Sequence, residues 1–85
     1  MKNTKNAWTS RNQEPILEVL KEYIPNKGRL LEIGSGNCQH AIYFSKYFDR
    51  LNWITSEVKG LHTQIKQILK SEALGNLHGP EVLEL

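Results

Sequence analysis

The stretch Leu30-Leu31-Glu32-Ile33-Gly34-Ser35-Gly36-Asn37-Cys38-Gln39-His40-Ala41 restricts the possible folds more than any other part of this chain. A short apolar run leads into two glycines one residue apart, and helix-compatible residues follow. That order predicts a buried strand, a sharp turn and the first turn of a helix. Glycine enters left-handed backbone conformations without the clash that a Cβ brings, so the chain can reverse within a few residues. The turn leaves free N–H groups and the positive end of a helix dipole facing an open crevice. Nucleotide-like ligands bind in such crevices, beyond the carboxyl ends of parallel strands.

The flanking sequence supplies the partners such a strand needs. Residues Met1 to Thr9 are polar with one aromatic, Trp8, and are expected to form a flexible arm. Trp8 either packs on the body of the domain or covers a ligand. Ser10 to Pro15 reads as a helix entrance, with Ser10 or Asn12 as cap and Pro15 at an early position where its missing N–H is not needed. Ile16, Leu17, Val19, Leu20, Tyr23 and Ile24 then share one helical face, and Pro25-Asn26-Lys27-Gly28 stops the helix. Arg29 to Ile33 is the first predicted strand. A second helix is predicted over Gln39 to Phe48, with Ile42, Tyr43, Phe44, Tyr47 and Phe48 facing a sheet. Leu51 to Ser56 is a second strand, rich in β-forming residues and ending at Glu57. A third helix covers Lys59 to Leu74, closed by Gly75-Asn76. His78-Gly79-Pro80 reads as a turn, and Glu81 to Leu85 as the start of a third strand.

Strands alternating with helices imply an α/β fold with a parallel sheet and right-handed crossovers. A doubly wound sheet places its first strand in the middle, whereas this chain supplies neighbours for one side of it only. The expectation is the N-terminal half of a larger Rossmann-like domain, or a truncated gene product, with residues 10–85 as the partial domain. The first strand would then be an exposed apolar edge, prone to pairing. Self-association, or docking of a separately encoded C-terminal half, follows as an alternative role for the chain.

Composition removes several function classes. With 39% hydrophobic and 24% charged residues the chain has the balance of a folded domain rather than a disordered one. A net charge of +2, with scattered basic residues, gives no electrostatic case for nucleic acid or an anionic membrane. The start has no apolar segment of the secretory type, and no run approaches a membrane span. Cys38 is the single cysteine, which excludes an internal disulfide and fits a reducing compartment, so the cytoplasm is the expected location. No His, Cys or acidic group shares a zinc-ligand spacing with His40, and no metal is expected.

Two cofactor classes compete for the glycine turn. The nicotinamide fingerprint needs a third glycine where Gln39 stands, and its position 32 is usually apolar, not Glu32. The S-adenosylmethionine motif, an acidic residue followed by alternate glycines, is met by Glu32, Gly34 and Gly36, with Cys38 in place of the last glycine. That cofactor carries an ammonium and a sulfonium, which a carboxylate beside the turn complements. Glu57, at the end of the second strand, is placed to accept hydrogen bonds from both ribose hydroxyls, a feature that both cofactor classes share. Glu84, near the end of the third, would lie by the adenine edge.

Taken together, the chain resembles class I methyltransferases, and in particular the domain-of-unknown-function 938 group, the methyltransferase-like protein 26 family. The residues that carry the resemblance are Arg11-Asn12-Gln13-Glu14-Pro15-Ile16-Leu17, Leu31-Glu32-Ile33-Gly34-Ser35-Gly36, Gln39-His40-Ala41, Leu51-Asn52-Trp53, Ser56-Glu57 and Val82-Leu83-Glu84-Leu85. The sequence departs from the family at Cys38, where glycine is usual, and at Glu57 and Glu84, where aspartate is usual. The resemblance implies an S-adenosylmethionine-dependent methyltransferase of Rossmann-like fold, of which this chain is the cofactor-binding half, not catalytic alone. The substrate-facing loops would lie after the third strand, so neither catalytic residues nor the methyl acceptor is named.

Each of these residues also has a plainer reading. Glu32 and Glu57 can be strand-end charges, and the glycines are needed by the turn whether or not a ligand binds. Cys38 is either a small residue tolerated in the turn or, at a helix N-terminus, a thiol of lowered pKa. His40 is a ligand contact or a solvent-facing first-turn residue. Arg11 and Asn12 can reach the cofactor carboxylate, or simply sit in solvent and at the helix entry.

Overall fold

A computed structural model of the chain describes residues 4–84, with side chains from Gln13 onward. Helix α1 spans Thr4–Tyr23, strand β1 Lys27–Leu31, helix α2 Gln39–Ser45, strand β2 Arg50–Glu57 and strand β3 Leu77–Val82. Between β2 and β3 a single 3-10 turn, Lys59–Leu61, runs into helix α3, His62–Glu72. The strands are all parallel, in the order β1-β2-β3. Helical crossovers are the natural way to join parallel neighbours, because the chain must return to the same end of the sheet. This is the expected α/β alternation, one half of a Rossmann-like sheet. Among the described residues β1 has a neighbour on one side only, also as expected.

The core lies on one face of that sheet. Leu17 of α1, Ala41 and Phe44 of α2, Trp53 of β2, Ile65 of α3 and Leu77 of β3 belong to one buried cluster. Along β2 the residues alternate: Leu51, Trp53 and Thr55 are buried under the helices, whereas Asn52 and Ile54 point the other way. On that opposite face Arg29, Leu31, Ile54 and Glu81 line an open groove to which no helix contributes. No helix among the described residues is long and apolar enough to cross a membrane.

Several boundaries differ from the sequence-based expectation, each for a physical reason. Helix α1 begins at Thr4, within the stretch read as a flexible arm, so Pro15 lies inside the helix instead of near its entrance. No glycine or second proline interrupts residues 4–14, so the lost N–H and ring crowding of Pro15 act at a single point of the helix. Strand β1 pairs from Lys27 to Leu31, two residues earlier than expected, and Ile33 is 63% exposed. Helix α2 ends at Ser45, and Tyr47 leaves the core to lie under the Lys21 ammonium, 5.6 Å from the ring centre. Helix α3 closes at Ala73, which adopts the left-handed conformation (φ 52°) expected of Gly75.

The largest difference is β3. His78-Gly79-Pro80 is not a turn but part of the strand, which runs Leu77–Val82. Ile54 pairs with His78 and Ser56 with Glu81, so Gly79 and Pro80 form a bulge opposite Thr55. An edge strand tolerates proline and a bulge because its outer N–H groups have no partner to lose. Thr55, fully buried, donates its hydroxyl to the His78 carbonyl at 2.9 Å and satisfies the distorted backbone. Gly79 takes φ +111°, and a Cβ there would meet Thr55 Oγ1 at 2.3 Å and Thr55 O at 2.6 Å.

One side chain joins the ends of these elements. Asn76 Nδ2 donates to the carbonyls of Ser45 (2.9 Å), Phe48 (3.0 Å) and Leu51 (3.0 Å), which end α2 and open β2. Its own carbonyl accepts from the Trp53 N–H at 2.8 Å.

Candidate functional site

The segment after β1 behaves as its two glycines require. Gly34 and Gly36 have φ of +70° and +58°, and no atom lies within 4 Å of where a Cβ would sit on either. The glycines are therefore there for backbone conformation, and their missing side chains leave open space on the crevice side. Cys38 takes the same left-handed conformation, φ 63°, although it has a side chain. An L-residue pays about 1–2 kcal/mol for this, which explains why glycine is the usual occupant. The Cys38 side chain is fully buried in the core cluster. It takes up this backbone conformation with its sulfur packed inward.

The turn is clasped to the end of β2 by serines. The Ser35 N–H donates to the Ser56 carbonyl at 2.8 Å, and the Ser56 N–H donates to Ser35 Oγ at 3.0 Å. The Ser56 hydroxyl donates to the Glu32 carbonyl. The Glu32 N–H continues the ladder to the Ile54 carbonyl at 2.9 Å. These contacts, with neither serine chosen from the sequence, hold the glycine turn beside the end of β2.

That clasp brings Glu57 to the turn. Its Oε2 accepts the Gly36 N–H at 2.8 Å and its Oε1 accepts the Val58 N–H at 2.9 Å. The bonds from Val58 first and Gly36 second hold the carboxyl below its ordinary value, with a smaller contribution from His62. His62 Nε2 lies 2.7 Å from the Glu57 carbonyl, which accepts its proton. His62 belongs to the same edge of the site and has no sequence signal beyond its place at the start of α3. Each Glu57 oxygen uses one backbone donor, so lone pairs remain on both.

Glu32 lies on the helical side of β1. It is half-buried, and its Oε1 is 3.5 Å from the Trp53 indole N–H. Both carboxylates act on Cys38: burial first, then the charges of Glu32 and Glu57, push the thiol up to about 11. This overturns the reading of Cys38 as an activated thiol, since a protonated, buried sulfur is a poor nucleophile.

The remaining candidates fall apart from this group. His40 is half-buried rather than solvent-facing: its ring stacks on Phe44 at 5.4 Å between centroids, it lines a hollow together with Glu32 and Trp53, and among the described residues its buried Nδ1 has no partner. Glu84 is exposed and lies two residues past the end of β3. Leu83 donates its N–H to the Glu57 carbonyl at 3.0 Å, so Glu84 follows directly from the candidate site without being held in it. Arg11 and Asn12 are on α1, but their side chains, like that of Trp8, lie outside the described residues. The structure thus brings Glu57 into contact with Gly36 at the carboxyl end of parallel strands, with Gly34 in the same turn, whereas Glu32 faces a hollow on the helical side beside His40 and Trp53. A family model described as "Protein of unknown function (DUF938)" matches residues 3–85, and the chain belongs to that family.

Proposed function

We propose that the crevice binds S-adenosylmethionine and that methyl transfer is the reaction this family performs. The observation that carries the reading is the pair of carboxylates on the glycine turn. A ligand bearing an ammonium and a sulfonium is favoured by the field of Glu32 and Glu57. A pyrophosphate on the turn would meet the Glu32 carboxylate as repulsion, and the third glycine of the dinucleotide fingerprint is replaced by Gln39, whereas Glu57 suits the ribose of either cofactor. This is the physical argument for adenosylmethionine over a nicotinamide dinucleotide.

In this reading Glu57 turns its spare lone pairs to the two ribose hydroxyls while the backbone of Gly36 and Val58 holds it in place. Glu32 balances the cationic methionine end from beneath the turn. Gly34 and Gly36 leave room for close approach of the ligand to the main chain, and Cys38 keeps that room because its sulfur is packed inward. Arg11, Asn12 and Glu84 are further candidates for the cofactor's carboxylate and adenine edge, on the family resemblance alone. The bound cofactor supplies an electrophilic methyl group; the residues described here bind and orient it and supply no acceptor.

Calorimetric titration tests the reading. Folded chain is expected to bind S-adenosylmethionine and S-adenosylhomocysteine but not NAD, and Glu57→Ala is expected to abolish both. Chain that is folded by circular dichroism yet takes up neither sulfur ligand at millimolar concentration would sink it.

A further inference from the structure

We propose that His62 is a positioning residue for the ribose end of the crevice: its ring fixes the peptide between Glu57 and Val58, and that peptide aims the Glu57 carboxylate. The ribose part of this inference rests on the cofactor reading, whereas the fixing of Glu57 does not.

One peptide unit carries both ends of the link. Its carbonyl, that of Glu57, accepts from His62 Nε2 at 2.7 Å and from the Leu83 N–H at 3.0 Å. Its N–H, that of Val58, donates to the Glu57 side chain at Oε1, 2.9 Å away. The Glu57–Val58 bond is trans, and a trans peptide is planar with its C=O and N–H pointing in opposite directions. Turning the carbonyl therefore turns the N–H with it. The two lone pairs of the carbonyl take two donors, Leu83 from the end of β3 and His62 from the start of α3.

His62 is held for this task by its own element. The chain leaves β2 through Val58 and makes the single 3-10 turn Lys59–Leu61, closed by the Leu61 N–H on the Val58 carbonyl at 3.1 Å. It enters α3 at His62. Three residues on, along the same side of the helix, Ile65 is fixed in the core at 1% exposure. The first turn of α3 is thus anchored, and the half-buried ring reaches back five residues to the strand end. The carbonyl has no proton to give, so Nε2 carries the hydrogen. Such a bond polarises the peptide and strengthens the N–H on its far side as a donor. That Val58 N–H is the first cause of the lowered Glu57 carboxyl, ahead of the Gly36 N–H, and the charge of His62 adds a smaller part. In the cofactor reading Glu57 meets the two ribose hydroxyls, so a misaimed carboxylate weakens ligands that carry them and spares those that do not.

Glutamine places an amide N–H where the His62 Nε2–H lies, whereas methionine has the reach but no donor. The full chain is compared as wild type, His62→Gln and His62→Met, each folded by circular dichroism, with His62→Ala as a second variant lacking the donor. Carboxyl NMR titration of Glu57 is made first, without ligand. The carboxyl is expected to move up toward the ordinary carboxylate range in H62M and to stay low in H62Q. An H62M carboxyl that titrates as in the wild type overturns the proposal. So does an H62Q carboxyl raised as far as that of H62M, which would assign the effect to the charge of the ring. Calorimetric titration then compares S-adenosylhomocysteine with its analogue lacking both ribose hydroxyls. H62M is expected to bind the first about tenfold more weakly than wild type, near the upper end of what one hydrogen bond contributes, and the second unchanged. H62Q is expected to match the wild type for both. Equal losses for the two ligands in H62M would mean a merely structural role and overturn the proposal, as would no loss for either. A wild-type chain that binds neither ligand overturns the cofactor reading instead, and the carboxyl titration still decides the role of His62.

Discussion

Replacing Gly79 by alanine is the sharpest test of the β3 bulge. The added Cβ would lie 2.6 Å from the Thr55 carbonyl oxygen and 2.3 Å from its hydroxyl. Thr55 is fully buried in the central strand, so it has nowhere to move. Three costs follow. Backbone strain at φ +111° is worth about 1–3 kcal/mol. Forcing β3 away from β2 is an overpacking of about 1–3 kcal/mol. The hydroxyl bond from Thr55 to the His78 carbonyl is lost with it, about 1 kcal/mol. Alanine returns only about 0.4–1 kcal/mol by restricting the unfolded chain. The net loss is about 4 kcal/mol, a large part of the 5–15 kcal/mol typical of a whole domain. Urea unfolding followed by circular dichroism measures it, with Gly60→Ala as the control. At Gly60 a Cβ meets nothing within 4 Å and the backbone is not left-handed, so that variant should hold its stability or gain a little. A Gly79→Ala chain that loses less than ~1 kcal/mol would refute the bulge geometry, because a single overpacking cost already exceeds that.

Three further outcomes can be checked. Asn76→Ala should cost about 2–3 kcal/mol in the same assay, because three backbone carbonyls lose their common donor; wild-type stability would mean that the amide is dispensable. Cys38 should resist a thiol reagent at pH 8: its pKa, raised from 9.0 to about 11, cuts the thiolate about a hundredfold relative to unfolded chain. Its rate in native and in urea-unfolded chain checks this, and equal rates would contradict the burial. Glu57, held below its ordinary value, contributes stability that is present above pH 4.5 and is lost as pH falls through its lowered folded pKa. Glu57→Gln should remove that acid limb from the melting temperature against pH, and an unchanged profile would show that the carboxylate is not bound by the two amides.

What could be read from the residues divides by range. The glycine turn, β2 and its terminal Glu57 were legible because each rests on local chemistry: an apolar run, a conformational need, a strand-end acid. That β1 has a neighbour on one side only among the described residues followed from counting strands. Helix α1 and strand β3 were misjudged where proline and glycine act as punctuation, since Pro15 sits within a helix and Gly79-Pro80 within a bulge. For the bulge, the backbone partner is Thr55, 23 residues before His78, and it leaves no trace nearby. The same holds for Ser35, Ser56 and Asn76, whose hydrogen bonds span 21 to 31 residues. Short polar residues of this kind are common in loops, and nothing in their spacing marks which of them will tie two elements together. Cys38 was ambiguous for another reason: a helix N-terminus lowers a thiol pKa, while burial between two carboxylates raises it, and only the fold decides which dominates.

The reach of Asn76 bears on how the molecule comes apart. One amide at the entry to β3 binds the last carbonyl of α2, that of Phe48 in the connection, and that of Leu51, the second residue of β2. If β3 peels away, the Ser45 and Phe48 carbonyls keep only the N–H groups of Phe48 and Leu51, at 3.2 and 2.9 Å, and the Leu51 carbonyl loses its side-chain donor, so opening of the last strand weakens the α2–β2 connection with it. Hydrogen exchange is then expected to find α2, β2 and β3 opening as one unit with a single free energy, instead of fraying inward from the edge strand.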